Sequence, residues 1–212
     1  MLDRGLNALR MNPVPADVRQ LMYKVKHAQG VDITRIFCGL NDTRNIVPSI
    51  KWAKAAGIDG FIVSWKSTYR LDNRLEKLIA IAEQEHFWLW IIYQGLDFDR
   101  NALPIEHIEA HLGIFVREYD ERAACGLTNR PVVIWSGTWE YTPEEIALVT
   151  SKFRDRLQIL ASERNVAGYA RIAELVDGNA YYWSSVDPQT NTNYLSKLKA
   201  LAESVHAHGG LW

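Results

Sequence analysis

Hydrophobic residues recur along this chain in two alternating patterns. Short runs of β-branched and aromatic residues predict buried strands, and longer stretches with an apolar residue every three or four positions predict amphipathic helices. One predicted helix separates each strand from the next. The predicted strands are residues 2–7, 33–39, 59–65, 87–93, 131–135, 157–161 and 180–184, and an eighth begins at residues 211–212.

Two of the predicted helices carry clear local signals. In the first, Val18, Leu21, Met22 and Val25 fall on one face. In the fifth, residues 142–145 (TPEE) have the form of a capping box with proline at the first helical position. That sequence predicts a helix start at this point.

Strands that alternate with single helices predict parallel pairing through right-handed crossovers. Eight such strands predict one compact α/β domain over residues 1–212, a closed (β/α)8 TIM barrel whose last helix is missing. One groove on the outside of the strands would then be uncovered, and a second copy of the chain could pack there as a homodimer. An open doubly wound sheet is the alternative, but the Gly-rich phosphate turn typical of its first strand is absent from the sequence.

Composition narrows the class of protein. The 212 residues include 24 Lys and Arg, 25 Asp and Glu, and 48% hydrophobic residues. The balanced charge predicts no nucleic-acid partner, and the apolar runs are too short to cross a membrane. Two cysteines and a start without a signal-peptide pattern favour a cytoplasmic location. The eight Trp and nine Tyr either fill a large core or line a pocket that stacks on sugar rings.

Five stretches carry a resemblance over residues 52–212: WAKAAGIDGFIVSWKS (52–67), IYQGLDFDR (92–100), RPVVIWSGTWE (130–140), VDGNAYYWSSVDP (176–188) and HAHGGLW (206–212). They are similar to glycoside hydrolase family 99-like barrels, related to families 71 and 99, which cleave α-linked glycans. The N-E-W-x-E type motif that holds that family's catalytic glutamates is absent, so the catalytic residues stay unknown. What the resemblance implies is part of a sugar-binding cleft, formed by Trp65, Tyr93, Gln94, Trp135 and Trp183.

Residues 1–57 resemble a different barrel. MLDRGLN (1–7) and VDITRIFCGLNDTRNIVPSIKWAKAAG (31–57) are similar to the carboxyltransferase domain of biotin-dependent oxaloacetate decarboxylase and pyruvate carboxylase. The resemblance implies that Arg4 contacts a substrate carboxylate. That family's metal ligands and modified lysine have no counterpart, so we predict no metal and no cofactor.

The two resemblances meet in one helix, at residues 52–57, where both families share the form IKxAKxAG. This overlap predicts a TIM-barrel chimera, engineered or recombined in nature. The alternative is a single barrel family whose first quarter drifted towards the other pattern.

Catalytic groups of a barrel lie where its strands end. Glycoside hydrolysis normally needs two carboxyl groups, and Asp97 and Glu140 are the candidate pair from neighbouring strand ends. Trp139 and Glu163 also follow predicted strands. For Asp97 and Glu140 alike, a structural role is favoured.

Other reactive side chains have plainer interpretations. His107 and His111 share a helix face, but a third zinc ligand is not evident, so a solvated face is favoured. His206 and His208 are interpreted as surface residues, and Cys38 as a small buried thiol.

Two hypotheses therefore stand. The first is a chimeric scaffold that folds without assured catalysis, and the second is a glycoside hydrolase or sugar-binding barrel that acts on α-linked glycans.

Overall fold

A computed structural model describes residues 2–3, 14–36, 43–126, 130–181 and 189–212. The strands are β1 (Leu2–Asp3), β2 (Ile33–Ile36), β3 (Gly60–Trp65), β4 (Trp88–Gln94), β5 (Val132–Ser136), β6 (Gln158–Ala161) and β7 (Gly178–Asn179). The helices are α1 (Ala16–Ala28), α2 (Thr43–Ala55), α3 (Tyr69–Gln84), α4 (Ile105–Tyr119), α5 (Pro143–Phe153), α6 (Val166–Ala170) and α7 (Tyr194–Ala207). The order alternates strand and helix, so the protein is of the α/β class, as predicted.

The chain divides into two compact units. The first comprises Met1–Ile91 and Glu121–Asn129, and the second comprises Ile92–Asp120 and Arg130–Trp212. No helix in the described parts of the chain has the length and apolar character needed to span a bilayer.

The first unit contains the parallel strands β1, β2 and β3, which pair in that order. Leu2 lies opposite Arg35, and Thr34 lies opposite Phe61. Phe61 is fully buried, and its ring contacts Tyr23 at 6.2 Å and Phe87 at 4.8 Å between centroids. These three rings form the aromatic centre of this unit's core.

Helix α1 turns a different face to the core than its apolar pattern suggests. Val18, Leu21 and Val25 are 47%, 60% and 49% exposed. The buried face carries Tyr23, on Phe61, together with Lys26, whose Nζ donates to Thr34 Oγ1 at 3.3 Å. Aromatic contact and a satisfied buried cation therefore set the rotation of this helix.

Arg122 connects segment 121–126 to α3 through hydrogen bonds to two glutamates. Arg122 donates to both carboxylate oxygens of Glu83 at 2.8 and 2.9 Å and to both of Glu76 at 2.9 and 3.0 Å. The Arg122 guanidinium lowers the pKa of Glu83, against the opposing effect of burial. Two bidentate pairs on one guanidinium explain why this segment belongs to the first unit.

The second unit contains the parallel strands β5, β6 and β7, which pair in that order. Val132 lies opposite Gln158, and Leu160 lies opposite Gly178. Every residue of β6 is buried, as expected of a parallel strand that is covered on both faces.

The predicted eighth strand is reduced to one bridge. Leu211 pairs with Gly178 in parallel, Leu211 N donates to Asp177 O, and Asn179 N donates to Leu211 O, both at 2.9 Å. A Cβ on Gly178 would lie 2.1 Å from Leu211 O, so glycine is required there. The described residues thus contain seven strands, which does not amount to the complete eight-stranded barrel that the sequence predicts.

The predicted start of α5 is confirmed. Thr142 Oγ1 accepts from Glu145 N at 3.2 Å, and Glu145 Oε2 accepts from Thr142 N at 2.8 Å. We expect Thr142→Ala to lower the free energy of unfolding by about 1 kcal/mol, because it removes the acceptor for a free helix N–H. Urea denaturation measures this effect, and Thr142→Ser, which keeps the oxygen, should stay close to wild type. An equal loss in both variants would contradict the capping role.

Candidate ligand site at the carboxyl ends of the strands

The loops that follow β5, β6 and β7 meet in the second unit. Their described residues, 137–142, 162–165 and 180–181, are called the loop platform below. Ser162 N donates to Thr138 Oγ1 at 3.0 Å, and Gly137 N donates to Ser162 Oγ at 3.4 Å. Because carboxyl ends of parallel strands share one edge, this is the place where ligands bind in parallel α/β proteins.

A buried carboxylate forms the base of the loop platform. Glu163, which follows β6, is 2% exposed, and its Oε1 accepts from Arg171 Nη2 at 3.0 Å. Arg171 also donates to Thr138 O at 2.9 Å and to Tyr141 O at 2.7 Å. One guanidinium therefore neutralises the buried charge and ties the loops after β5 and β6 together.

The main chain of Glu163 is held as firmly as its side chain. Glu163 N donates to Asn179 Oδ1 at 2.6 Å, and Asn179 Nδ2 donates back to Glu163 O at 3.1 Å. A Cβ on Gly168 would lie 2.5 Å from Glu163 Oε2, so glycine at that position makes room for the carboxylate. Asn179 of β7 therefore fixes the main chain of Glu163, and Gly168 of α6 leaves space for its side chain.

An aromatic pair and an exposed arginine lie on the same platform. The guanidinium carbon of Arg164 lies 3.9 Å from the centre of the Trp139 ring, and Trp139 meets Tyr181 edge to face at 6.2 Å. Arg164 is exposed, whereas Trp139 and Tyr181 are half-buried. The platform therefore presents aromatic surface and a positive charge.

Three of the predicted sugar-binding residues lie in the core. Trp65, Tyr93 and Trp135 are at most 1% exposed. Trp65 Nε1 donates a hydrogen bond to Asp72 at 2.8 Å. Tyr93 Oη forms a hydrogen bond with His111 Nδ1, also at 2.8 Å. Trp135 packs on the Tyr141 ring. A wholly buried ring has no face open to a sugar. The burial of these three side chains therefore does not support their predicted role in sugar binding.

The other predicted binding residues differ in their settings. Gln94 ends β4 and is half-buried. Arg4 and Trp183 lie outside the described residues, as does Cys38. Their roles stay predictions.

Asp97 and Glu140, the candidate acid/base pair, lie in different settings, the first in a hydrogen-bonded loop and the second on the surface. Both carboxylate oxygens of Asp97 accept from Asn101, from its main-chain N at 2.8 Å and from Nδ2 at 3.0 Å. Asp97 N also donates to Asn101 O at 2.9 Å, which closes the loop. Asp97 is half-buried within this loop. Glu140 is exposed at the end of a short 3₁₀ helix, where solvent screens its charge.

The histidines have individual roles. His107 is exposed, whereas His111 is half-buried against Tyr93. His208 directly follows α7, and its Nδ1 forms a hydrogen bond with Ser204 O at 2.8 Å. Within the described ranges, no three His, Cys, Asp or Glu side chains come together as a metal site.

Cys125 is buried in the first unit, and burial raises the pKa of its thiol to about 12. In a Cys38→Ser variant, which leaves one thiol, we expect iodoacetamide to react only after unfolding, because the thiolate is the nucleophile. Above about pH 8.5 the unfolded thiol loses its proton while the native thiol keeps it. Stability from this group is therefore complete below that pH and falls as pH rises towards 12. Rapid native alkylation at neutral pH would contradict this assignment.

Sequence reasoning missed most of the loop platform. Glu163 and Trp139 follow strands as the sequence predicts, but Arg171 lies just beyond α6 and Asn179 lies inside β7. Arg164 stands directly after Glu163 in a charged loop. A buried strand-end carboxylate needs a cation, but four arginines lie within ten residues of Glu163, so the sequence does not single out Arg171.

These features define a parallel α/β protein with a hydrogen-bonded loop platform at the carboxyl ends of its strands. No family model matches the chain. Over 59 residues, 28% of this chain and 10% of the relative, it is 41% identical to a pyruvate carboxylase polypeptide of Methanocaldococcus jannaschii. That similarity supports the carboxyltransferase part of the resemblance, whereas the glycoside hydrolase part stays a prediction.

Two solved structures of the carboxyl transferase domain of Rhizobium etli pyruvate carboxylase are also similar. The domain with 3-bromopyruvate is 14% identical with a TM-score of 0.40, over 82% of this chain and 24% of that one. The domain with pyruvate and biocytin is 14% identical with a TM-score of 0.42, over 97% and 35%. The chain therefore spans about a tenth of the curated relative and at most 35% of these two chains.

Proposed function

We propose that this chain is a barrel-type α/β scaffold without efficient catalysis by its candidate carboxylates. The observation that carries the proposal is the Asp97 carboxylate, whose two oxygens are both bonded to Asn101 within one loop. A carboxylate committed to its own loop is poorly placed to move a proton or attack a sugar. Glu163 is likewise committed, to Arg171.

Turnover measurements test this proposal. The protein is assayed with α-mannan, α-glucan and oxaloacetate, beside Asp97→Ala and Glu140→Ala variants. We expect every rate to equal the buffer background in all three proteins. A rate above background that either substitution abolishes would overturn the proposal and assign the acid/base role to that carboxylate.

We further propose that the chain is one barrel domain composed of a carboxyltransferase-like segment, residues 1–57, and a glycoside hydrolase-like segment, residues 52–212. The carboxyltransferase-like segment is supported by the 59 residues that are 41% identical to part of the Methanocaldococcus jannaschii polypeptide. The parallel strands of each unit also follow chain order, as in a barrel.

Calorimetry tests the single domain. We expect one cooperative unfolding transition whose calorimetric and van't Hoff enthalpies agree, because a single domain unfolds as one cooperative unit. Two separate transitions would show that the two compact units are independent domains.

A second candidate function is sugar binding at the loop platform. It is favoured by the contact between Trp139 and Tyr181 beside Arg164, since aromatic faces pack on the C–H faces of sugars. Tryptophan fluorescence titrated with α-linked oligosaccharides should change in the wild type and in a Phe98→Ala control. The response should weaken in Trp139→Ala. A flat response in the wild type would exclude this candidate.

A further inference from the structure

We propose that the loop platform takes an acidic sugar, a hexuronate unit whose carboxylate is bound by Arg164. This inference rests on the sugar-binding candidate and names the substrate class for that site. It joins two features of one surface, an exposed guanidinium and the aromatic side chains directly beside it.

The two arginines associated with the platform differ in what their guanidinium groups contact. Arg171 donates to Glu163, Thr138 O and Tyr141 O. Arg164 is exposed, and among the described residues it has no hydrogen bond or ion pair, only its stacking on Trp139. Arg171 is therefore structural, and the N–H groups of Arg164 are available to a ligand.

Stacking prepares Arg164 for a planar anion. With its carbon 3.9 Å from the Trp139 ring centre, the guanidinium stacks on the ring, and this contact restricts its orientation before a ligand binds. A fixed planar fork matches a carboxylate through two parallel N–H···O bonds and loses little side-chain entropy on binding. Glu140, which is exposed and next to Trp139, adds negative charge, so a singly charged carboxylate suits the site better than a phosphate dianion.

The aromatic pair provides the second half of the ligand site. Trp139 and Tyr181 meet edge to face at 81°, so their ring planes form a corner beside the guanidinium. A sugar ring packs its C–H face on such a surface while a carboxylate on the same ring reaches Arg164. An acidic sugar satisfies both features at once, which neither a neutral sugar nor a simple carboxylate does.

The test compares trigalacturonate with its neutral methyl ester by isothermal titration calorimetry of the intact protein. We expect the wild type to bind the acid at least about tenfold more tightly than the ester, since a bond to a charged group strengthens the contact. Arg164→Gln should bind both forms equally, and Arg164→Lys should keep only part of the preference. Arg117→Gln, which removes another exposed arginine on α4, should keep all of it.

The outcomes separate the two proposals. Equal wild-type affinity for acid and ester would overturn the acidic-sugar inference and leave the sugar site standing. Absence of binding by either form would overturn the acidic-sugar inference, and the sugar-binding candidate would fall with it only if the α-linked oligosaccharides also gave no fluorescence response. Displacement of trigalacturonate by an equal concentration of inorganic phosphate would also overturn the inference, because it would show a general anion site. Unfolding curves of the Arg164 variants should match the wild type, since this side chain is exposed.

Discussion

Replacing Arg171 by alanine is expected to lower the free energy of unfolding by about 3–5 kcal/mol. Glu163 would keep its buried position, at 2% exposure, but lose the guanidinium that neutralises it. The carbonyl oxygens of Thr138 and Tyr141 would also lose a donor. Equilibrium urea denaturation followed by tryptophan fluorescence measures the effect.

An exposed ion pair provides the control for Arg171. Arg117 pairs with Glu118 at 2.8 Å, but the two side chains are 67% and 51% exposed. Arg117→Ala should change stability by less than about 1 kcal/mol, because solvent screens such pairs. Similar small changes in both variants would contradict the role of Arg171 in stabilising the buried Glu163 carboxylate.

The second large effect is expected from Phe61→Ala, which should cost about 3–5 kcal/mol of unfolding free energy. The ring is fully buried between Tyr23 and Phe87, so its removal loses apolar burial and leaves a cavity. Thermal unfolding of the variant measures the loss.

Phe98 offers the same substitution on the surface. Its side chain is 96% exposed in the loop after β4. Phe98→Ala should therefore stay within about 0.5 kcal/mol of the wild type. Comparable losses at positions 61 and 98 would contradict the described core of the first unit.

The sequence predicts the order of elements well because strand and helix periodicities differ along the whole chain. The start of α5 follows from the capping box alone, which is a local signal. Helix α1 shows the limit of periodicity. Its stripe of Val18, Leu21 and Val25 is exposed, since the helix rotation depends on what Tyr23 and Lys26 meet in other elements.

The candidate site is less predictable for a similar reason. Strand ends correctly place Glu163 and Trp139, but the partners of Glu163 come from a helix end and from inside another strand. Trp65, Tyr93 and Trp135 follow a family resemblance, whereas their burial depends on packing that spacing alone does not reveal. The predicted partners and cellular location stay predictions.

Gly178 has a consequence for how this sequence can change. The main chain of Leu211 occupies the space that any side chain at position 178 would need. Position 178 is therefore restricted to glycine for as long as Leu211 pairs there. Gly113 can accept alanine, because a Cβ at that position would meet only Phe153, at 3.8 Å. Two glycines of one unit thus differ sharply in evolutionary freedom.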